Sequence, residues 1–271
     1  MQRCSRSIFA KHSHGTMHIM DHSFYMQRCR ELALLGRGKV GNGALVGAVL
    51  VREGKIIAEG YHIAYGNSHA ERMLLEKFDQ EIRSDDVLYT SLEPCCHQGK
   101  TPPCTDILIE RGIKHVVYGI EDPDPRVAGQ GIASLRKAGF EVIGPVDRAL
   151  CERLSRGFTT VRTKNRPWIV LKKAVTQDGR IANVDGSPML ITSEQQNIWS
   201  HTNLRSEVDG IVVGVHTIIN DNPQLNTRLT QKKYSQEGLE PYRIILDAHA
   251  KIPVDSKVVT DDQKRRTIIV I

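Results

Sequence analysis

Two short stretches of the chain contain the residue types that can hold a catalytic metal ion. The first is the tripeptide HAE, which contains His69 and Glu71, and the second, EPCCHQGKTPPC, covers residues 93–104. One histidine and two cysteines, His69, Cys95 and Cys104, can give three ligands to zinc and leave the fourth tetrahedral position open to water. Glu71 is not needed as a ligand, and it stands where a general acid and base would act on that water.

The spacing of these residues follows the His-x-Glu and Pro-Cys pattern of the zinc-dependent nucleobase deaminases. The second half of that pattern is usually Pro-Cys-x-x-Cys, whereas eight residues separate Cys95 from Cys104 here. A purely structural zinc site is the alternative, because Cys96 or His97 could supply a fourth protein ligand. That alternative leaves Glu71 without a function in the first turn of its predicted helix.

The composition indicates a globular protein in aqueous solution with about two domains. The chain has 271 residues, of which 40% are hydrophobic and 25% are charged, and no apolar run approaches the roughly 18 residues of a membrane helix. The net charge of +6 fits anionic small molecules as well as nucleic acid. The cysteines cluster beside a histidine and no secretory signal is visible, so we expect metal binding in a reducing, cytoplasmic compartment rather than disulfide bonds.

The first half of the chain predicts an α/β layered domain. We expect residues 1–20 to be a disordered extension or the result of an upstream start codon, with a targeting leader as the alternative. Over residues 21–160, apolar periodicity and glycine or proline breaks predict the element order α-β-β-α-β-α-β-α-β-α. The histidine and glutamate of HAE then lie in the first turn of a helix. Cys95 follows a buried strand, and Cys104 precedes a helix start, where a thiol has a lowered pKa.

A second domain is predicted after a polar linker. Residues 161–167, VRTKNRP, are basic and contain a proline, so we expect the domain boundary there and the second domain at residues 168–271. The sequence stops within a predicted apolar strand, and we therefore expect this domain to be incomplete at its C-terminus. Its pattern predicts strands at residues 168–174, 210–215, 242–247 and 266–271, a helix at residues 195–205, and a loop at residues 217–228.

Four sequence segments together resemble one protein family. They are HAE, EPCCHQGKTPPC, EDPDPRVAGQG and the second-domain segment GVHTIINDNPQLNTR. They are similar to the bifunctional riboflavin-biosynthesis proteins, in which a pyrimidine deaminase is fused to a uracil reductase. The long zinc loop with its Thr-Pro-Pro is the most specific of the four. The resemblance implies a cytidine-deaminase-like α/β/α layered domain followed by a dihydrofolate-reductase-like α/β domain.

The same resemblance implies two reactions and their cofactors. The first is zinc-dependent hydrolytic deamination of 2,5-diamino-6-ribosylamino-4(3H)-pyrimidinone 5′-phosphate. The second is NADPH-dependent reduction by a 5-amino-6-(5-phosphoribosylamino)uracil reductase domain. A homo-oligomer is also implied, with neither nucleic acid nor a membrane as a partner.

The resemblance assigns roles to individual residues. His69, Cys95 and Cys104 match the zinc ligands, and Glu71 matches the residue that transfers protons. The positions that match substrate contacts of the deaminase are His62, Lys100 and Asp122. The positions that match substrate or cofactor contacts of the reductase are Lys172, Asp178, Arg205, Thr217, Asp221, Leu225 and Arg228.

The chain departs from the family pattern at several pocket positions. The asparagine of the usual Pro-Asn-Pro falls on Gly43, and the usual Asp-Pro-Asn-Pro has Asp124 in place of its asparagine. In the second domain, Pro188 and Leu190 replace the serine and tryptophan of Ser-x-Trp-Ile-Thr. We expect a lost pocket amide at residue 43, and weaker binding of a phosphorylated substrate if its phosphate approaches Asp124.

Two other functions fit the same zinc chemistry or the same fold. A tRNA or single-strand nucleobase deaminase would need a basic groove lined with aromatic side chains, but aromatic residues make up only 5% of the chain. A zinc-binding homologue without catalytic activity is the other alternative.

Single residues also have simpler interpretations. These are His62 as a loop histidine, Asp122 and Asp124 as turn residues before proline, Asp221 as a loop cap and Arg228 as a solvated charge.

Overall fold

The computed structural model describes residues 21–125, 127–187, 189–227 and 240–271. The expectations for residues 1–20, Pro188 and Arg228 therefore lie outside the described residues. The chain divides into two compact units, Met1–Trp168 and Ile169–Ile271. Every helix within the described ranges is too short or too polar to span a membrane.

A mixed sheet lies at the centre of the first unit. Its strands are β1 (Gly47–Arg52), β2 (Lys55–Tyr61), β3 (Val87–Thr90), β4 (His115–Tyr118) and β5 (Glu141–Ile143). The strand order is β2-β1-β3-β4-β5, with β1 antiparallel to both neighbours and β3, β4 and β5 parallel to one another. Because β3 and β4 are parallel neighbours, the loops that follow them leave the sheet at the same edge.

Helices cover this sheet and complete its core. The first helix begins after Asp21, whose carboxylate accepts the backbone N–H groups of Ser23 and Phe24. The core combines strand residues such as Val49 with helix residues such as Leu74, both of which are fully or almost fully buried. The helices are α1 (His22–Ala33), α2 (Ala70–Lys77), α3 (Cys104–Glu110), α4 (Gln130–Lys137), α5 (Arg148–Leu154) and α6 (Arg156–Lys164). This order agrees with the predicted one, except that the last predicted helix is divided into α5 and α6.

The position of α2 depends on a close approach to β2 at Gly60. A Cβ atom at residue 60 would overlap the backbone oxygen of Ala70 and would lie 2.8 Å from the Cβ of Leu74. Only glycine therefore allows the first two turns of α2 to pack directly on β2. Because α2 starts immediately after His69, this packing also determines where His69 and Glu71 lie.

Three parallel strands form the sheet of the second unit, in the order β6-β7-β8. They are β6 (Gly210–Gly214), β7 (Tyr242–Leu246) and β8 (Thr267–Val270). The helices are α7 (Glu194–Asn203), α8 (Val215–Asp221) and α9 (Lys257–Thr260). Ser193 caps α7 in a capping box with Gln196. The core of this unit is small and contains Ile218, Ile245 and Val258.

The structure corrects three expectations for local structure. Residues 168–174 do not form the predicted strand, and their side chains are largely exposed, Leu171 at 88%. An apolar run forms a strand only where a neighbouring strand accepts its hydrogen bonds, and no described strand pairs with this run. Residues 217–221 were predicted to be a loop but belong to α8, in which Val215 and Ile218 form the buried face. The predicted linker at residues 161–167 begins within α6, which continues to Lys164.

Replacing Gly60 with alanine should displace α2 from the sheet. The added Cβ has no room against Ala70 and Leu74, so we expect a loss of about 1–3 kcal/mol in the free energy of unfolding, measured by urea denaturation. Gly157→Ala is the matched control, because residue 157 lies in α6 with open space around its Cβ position. For this control we expect a gain of about 0.5–1 kcal/mol in the free energy of unfolding, because alanine is favoured over glycine in a helix. Equal stabilities of Gly60→Ala and wild type would contradict the close approach.

Candidate active site

Three potential metal ligands meet at the edge of the first sheet. The Sγ atom of Cys95 lies 3.4 Å from His69 Nδ1, and the Sγ atom of Cys104 lies 3.5 Å from the same nitrogen. One ligand atom from each of the three residues falls within 4.8 Å of the others. Two sulfurs and one imidazole nitrogen at this spacing match the donor set of a tetrahedral zinc ion with one position left for water.

Each ligand is positioned by the end of a regular element. His69 is the N-cap residue of α2, and Cys104 is the first residue of α3. Cys95 lies between β3 and α3, and it is tied to α3 because its backbone oxygen accepts the N–H of Thr105 at 3.1 Å. The Cys104 N–H also donates to the Cys95 Sγ atom at 3.3 Å. Arg72 of α2 donates to the backbone oxygen of Pro103 at 3.2 Å, which joins the starts of α2 and α3.

The pKa values of the two cysteine thiols are shifted in opposite directions. The hydrogen bond from Cys104, followed by the contact with His69, lowers the pKa of Cys95 to about 4. The same pairing and its burial raise the pKa of Cys104 well above the usual value of a thiol. The Cys95 thiolate in turn raises the pKa of His69. These shifts favour the thiolate form of Cys95 and the thiol form of Cys104, and a metal ion held by both sulfurs would displace the proton of Cys104.

Glu71 lies beside these ligands as a buried carboxyl group. Its side chain is 2% exposed, and burial raises its pKa. The hydroxyl of Thr90 donates to Glu71 Oε1 at 3.0 Å, and the Sγ atom of Cys104 donates to Oε2 at 3.5 Å. A buried carboxyl group with a raised pKa, held next to an open metal position, is suited to take up and release a proton.

The geometry favours the open site over the closed structural site. Among the described residues, the group of side chains close enough to share a metal ion consists of His69, Cys95 and Cys104. Neither Cys96 nor His97 belongs to this group. A structural zinc site would require a fourth protein ligand. The arrangement therefore leaves a position for water next to Glu71.

His62 is placed close to the ligands by a hydrogen bond to a carbonyl oxygen. Its Nδ1 lies 3.1 Å from the backbone oxygen of Ala44, and because a carbonyl oxygen only accepts, Nδ1 carries the proton. The Nε2 atom is buried and has no hydrogen-bond partner among the described residues. Burial lowers the pKa of His62, and its ring centre lies 5.4 Å from that of His69. A neutral, acceptor nitrogen is thus available beside the metal ligands.

Asp122 follows β4 and is largely buried. Its side chain accepts the N–H of Asp124 at 2.8 Å, and burial raises the pKa of Asp122 to about 6. Asp124 is 5% exposed, and its carboxylate lies 3.6 Å from the Nε atom of Arg162 in α6. The hydrogen bond from the N–H of Asp124 fits the interpretation of Asp122 as a turn residue, and burial, together with the nearby charge of Asp124, raises the pKa of its carboxyl group.

Lys100 and Gly43 lie on two different loops of the first unit. Lys100 is exposed, and its Nζ lies 4.0 Å from the centre of the Tyr65 ring, a cation–π contact that keeps the ammonium group at the surface. A Cβ atom at residue 43 would lie 3.3 Å from Cε1 of His62 and 3.0 Å from the backbone oxygen of Val40. Residue 43 thus lies close to the His62 ring, but as a glycine it has no side chain to place against that ring.

The expected reductase residues of the second unit fall into two groups. Lys172 and Asp178 are exposed, and Asp178 accepts the hydroxyl of Thr176 and pairs with Arg180 at 3.0 Å within one turn. Lys172 lies in the irregular segment that was predicted to be a strand. Leu190, one of the departures from the family pattern, is 86% exposed.

The second group lies around α8 and the segment that follows it. Thr217 and Asp221 belong to α8, and Leu225 is 4% exposed with a positive φ of 51°. Arg205 donates from Nη1 to the backbone oxygen of Asn226 at 2.8 Å. Arg205 is therefore brought to the segment that contains Leu225, whereas Arg228 lies outside the described residues.

The sequence did not single out two residues that hold the site together. Thr90 positions Glu71, and Glu93, which is 2% exposed, accepts backbone N–H groups from Asp122, Gly129 and Ile132. The only signal for Glu93 is its position two residues before Cys95, since its partners are about 30 residues away or more. No local pattern in the sequence indicates the Thr90 contact.

Family models match both units of the chain. The model described as "Cytidine and deoxycytidylate deaminase zinc-binding region" matches residues 19–120. The model described as "RibD C-terminal domain" matches residues 167–271. These matches confirm the expected fold class, a cytidine-deaminase-like α/β domain followed by a dihydrofolate-reductase-like α/β domain.

Relatives resemble the chain over most of its length. The riboflavin biosynthesis protein RibD of Actinobacillus pleuropneumoniae is 40% identical over 245 residues, which are 90% of this chain and 63% of that protein. RibD of Aquifex aeolicus is also 40% identical over 245 residues, which are 67% of that protein. The chain therefore spans about two thirds of the length of these relatives.

Solved structures show the same similarity. The crystal structure of a diaminohydroxyphosphoribosylaminopyrimidine deaminase/5-amino-6-(5-phosphoribosylamino)uracil reductase from Thermotoga maritima is 40% identical, with a TM-score of 0.82 over 92% of this chain and 69% of that one. RibD of Acinetobacter baumannii is 32% identical, with a TM-score of 0.83 over 92% of this chain and 68% of that one.

Replacing Asp122 with asparagine should stabilise the metal-free protein at neutral pH. The pKa of Asp122 is about 6 in the folded state and about 3.9 in an unfolded chain, so the folded state binds the proton more tightly. Wild type therefore loses stability as the pH rises from about 4 to 6, whereas the variant does not. Asparagine can still accept the N–H of Asp124.

The expected difference in the free energy of unfolding is near zero at pH 4 and about 3 kcal/mol in favour of the variant above pH 7. Urea denaturation from pH 4 to pH 8 measures it. The exposed Asp79→Asn is the control for loss of a negative charge in the same unit. A stability difference that does not change with pH would contradict the burial of an ionising Asp122 carboxyl group.

Proposed function

The chain belongs to the RibD family of riboflavin biosynthesis proteins, and on that premise we propose that its first unit is a zinc-dependent pyrimidine deaminase. The proposed reaction is hydrolytic loss of ammonia from 2,5-diamino-6-ribosylamino-4(3H)-pyrimidinone 5′-phosphate. The observation that carries the proposal is the open cluster of His69, Cys95 and Cys104 with the buried Glu71 beside it. The 40% identity to the Thermotoga maritima deaminase/reductase supports the choice of substrate.

The ligand residues would hold the metal, and the metal would supply an activated water as the nucleophile. The Cys95 thiolate and the neutral form of His69 can ligate directly, while Cys104 must first lose its proton. Two thiolates and one neutral imidazole would bring the formal charge of the zinc site to zero. The metal would still act as a Lewis acid and lower the pKa of its bound water.

Glu71 is the residue that we assign to proton transfer. Its carboxylate takes one proton from the attacking water and gives it to the ring nitrogen. It then takes the remaining proton of the added hydroxyl group and gives it to the departing amino group, so that water is consumed, a carbonyl group forms and ammonia is released. The raised pKa of Glu71 supports both steps, because a carboxyl group with a pKa nearer neutrality is a better base and remains a usable acid. The Thr90 hydroxyl keeps Oε1 in place, which leaves Oε2 on the side of the metal ligands.

Three further residues are proposed to bind the substrate. The unpartnered Nε2 of His62 can accept a hydrogen bond from an amino or hydroxyl group of the substrate. Asp122, with its pKa of about 6, can accept from a ring N–H or an amino group when ionised. The ammonium group of Lys100 is exposed and can bind the phosphate as a point charge.

Replacing Glu71 with glutamine should abolish ammonia release while zinc remains bound. Glutamine keeps the size of the side chain and can still accept from Thr90, but it cannot carry the proton, so we expect the rate to fall by about 10²–10⁴-fold. The assay measures ammonia released from the diaminopyrimidine ribotide and zinc per chain. Glu110→Gln, an exposed change at the end of α3, is the control and should retain the wild-type rate.

Each outcome of this assay decides one part of the proposal. A glutamine variant with the wild-type rate would overturn the role of Glu71. Wild-type protein with one zinc per chain and no ammonia release would overturn the deaminase itself and favour an inactive zinc-binding homologue. Ammonia or inosine formation from a tRNA or single-stranded oligonucleotide, but not from the ribotide, would favour the nucleic-acid deaminase.

A second function is proposed for residues 168–271. In this proposal the deaminase domain covers residues 21–160, and residues 161–167, which include the last turn of α6, connect the two. The match of residues 167–271 to the RibD C-terminal domain supports an NADPH-dependent reductase function. The contact of Arg205 with Asn226, next to Leu225 and α8, supports this segment as part of the binding site.

Titration of the chain with NADPH, followed by the fluorescence of the bound nicotinamide, tests this second function. We expect saturable binding that Arg205→Ala weakens by about tenfold, because the variant releases the 225–227 segment from its anchor. The exposed Arg136→Ala of the first unit is the control. Absence of saturable binding by folded wild-type protein would contradict the reductase proposal.

A further inference from the structure

The buried carboxylate of Glu93 joins three segments of the first unit. Its Oε2 accepts the N–H of Asp122 at 3.0 Å and that of Gly129 at 2.9 Å, and its Oε1 accepts the N–H of Ile132 at 3.1 Å. Its own N–H donates to the backbone oxygen of Ile120 at 2.8 Å. The segment after β3 is thereby joined to the loop after β4 and to the start of α4.

The contact also caps a helix that has no cap of its own. Gly129, the N-cap residue of α4, offers no side chain, and the first turn of α4 contains no acidic residue. The first N–H groups of a helix need acceptors, and a carboxylate is the favoured partner at that end. Glu93 supplies this acceptor from a distant part of the chain.

The packing around Glu93 leaves little freedom. A Cβ atom at Gly131 would overlap the backbone oxygen of Pro94 and would lie 3.1 Å from Glu93 Oε1. The start of α4 therefore lies directly against the Glu93-Pro94 backbone. Cys95 is the next residue after Pro94, so its position follows from the same contact.

We propose that Glu93 is a positioning residue that fixes the metal ligand Cys95 relative to Asp122 and the N-terminus of α4. This inference rests on the proposed deaminase function for the meaning of Cys95 and Asp122, but not for the geometry of Glu93. The neighbouring strands β3 and β4 bring the two loops to one edge of the sheet, and the Glu93 carboxylate sets the spacing between them. Loss of one acceptor oxygen leaves a buried N–H group without a partner, which the loop can relieve only by moving.

Glu93→Gln is the variant that tests this role. Glutamine has nearly the same shape, but its amide nitrogen is a donor and faces an N–H group in either orientation. One orientation loses the bond to Ile132, and the other loses the bonds to Asp122 and Gly129. Asp247→Asn is the matched control in the second unit, because Asp247 is a 1% exposed carboxylate that accepts the N–H groups of Lys251 and Ile252.

The full chain is measured with three readouts. Zinc affinity is determined by competition with a chromophoric chelator, the ligand geometry by the visible absorption of the cobalt(II)-substituted protein, and the kinetics by ammonia release. For Glu93→Gln we expect zinc binding weakened by about tenfold or more, shifted cobalt bands and a raised KM. For Asp247→Asn we expect wild-type values in all three, whatever its thermal stability.

The outcomes separate a positioning role from a merely structural one. If Glu93→Gln is destabilised like Asp247→Asn but keeps wild-type zinc affinity, cobalt bands and KM, the proposal is overturned. If Glu93→Gln does not fold, Glu93→Asp is measured instead, since it keeps the charge but is shorter by one methylene, and wild-type values for it would likewise overturn the proposal. If wild type releases no ammonia, the zinc and cobalt measurements still test Glu93, because neither depends on the substrate.

Discussion

The first unit depends on the contact between the Cys95 sulfur, the N–H of Cys104 and His69. The sulfur accepts the N–H at 3.3 Å and stands 3.4 Å from His69 Nδ1. This contact holds the segment after β3 against the starts of α2 and α3. The N–H group at the start of α3 stabilises a thiolate. The contact that joins these segments therefore also favours the form of Cys95 that can bind a metal ion. Glu71 follows two residues after His69 and is therefore placed by the same helix start.

The parallel pairing of β3 with β4 explains why the proposed metal site and the proposed substrate residues coincide. Thr90 pairs with Tyr118 at the ends of these strands, and the loops that follow contain Cys95 and Asp122. Parallel neighbours deliver their loops to one edge of the sheet, where ligands of open α/β sheets bind. The Glu93 contacts then join the two loops directly. The position of the two loops relative to each other is therefore set both by the pairing of their strands and by the Glu93 hydrogen bonds.

The sequence predicted the element order of the first unit and the residues of the metal cluster, because both are local signals. Apolar periodicity indicates strands and helices, and ligand types at a motif spacing indicate a metal. The roles of Thr90 and Glu93 are not local, since their partners are brought to them only by the sheet and by α4. The failure at residues 168–174 has the same cause, because an apolar run becomes a strand only when a partner strand is beside it. In α8, Val215 and Ile218 are buried, and this tertiary packing stabilises a helix over residues 217–221, where the sequence predicted a loop.

The two departures from the family pattern in the first unit have different physical consequences. Gly43 has no side chain at a point where a Cβ would lie 3.3 Å from Cε1 and 3.9 Å from Nδ1 of His62, so residue 43 places no polar group beside this edge of the ring. Asp124 adds a charge, but Arg162 lies 3.6 Å from its carboxylate. A buried carboxylate is costly unless it is paired, and the pair presents an anionic substrate with little net negative charge. If a substrate phosphate approaches Asp124, the expected repulsion is therefore reduced by Arg162.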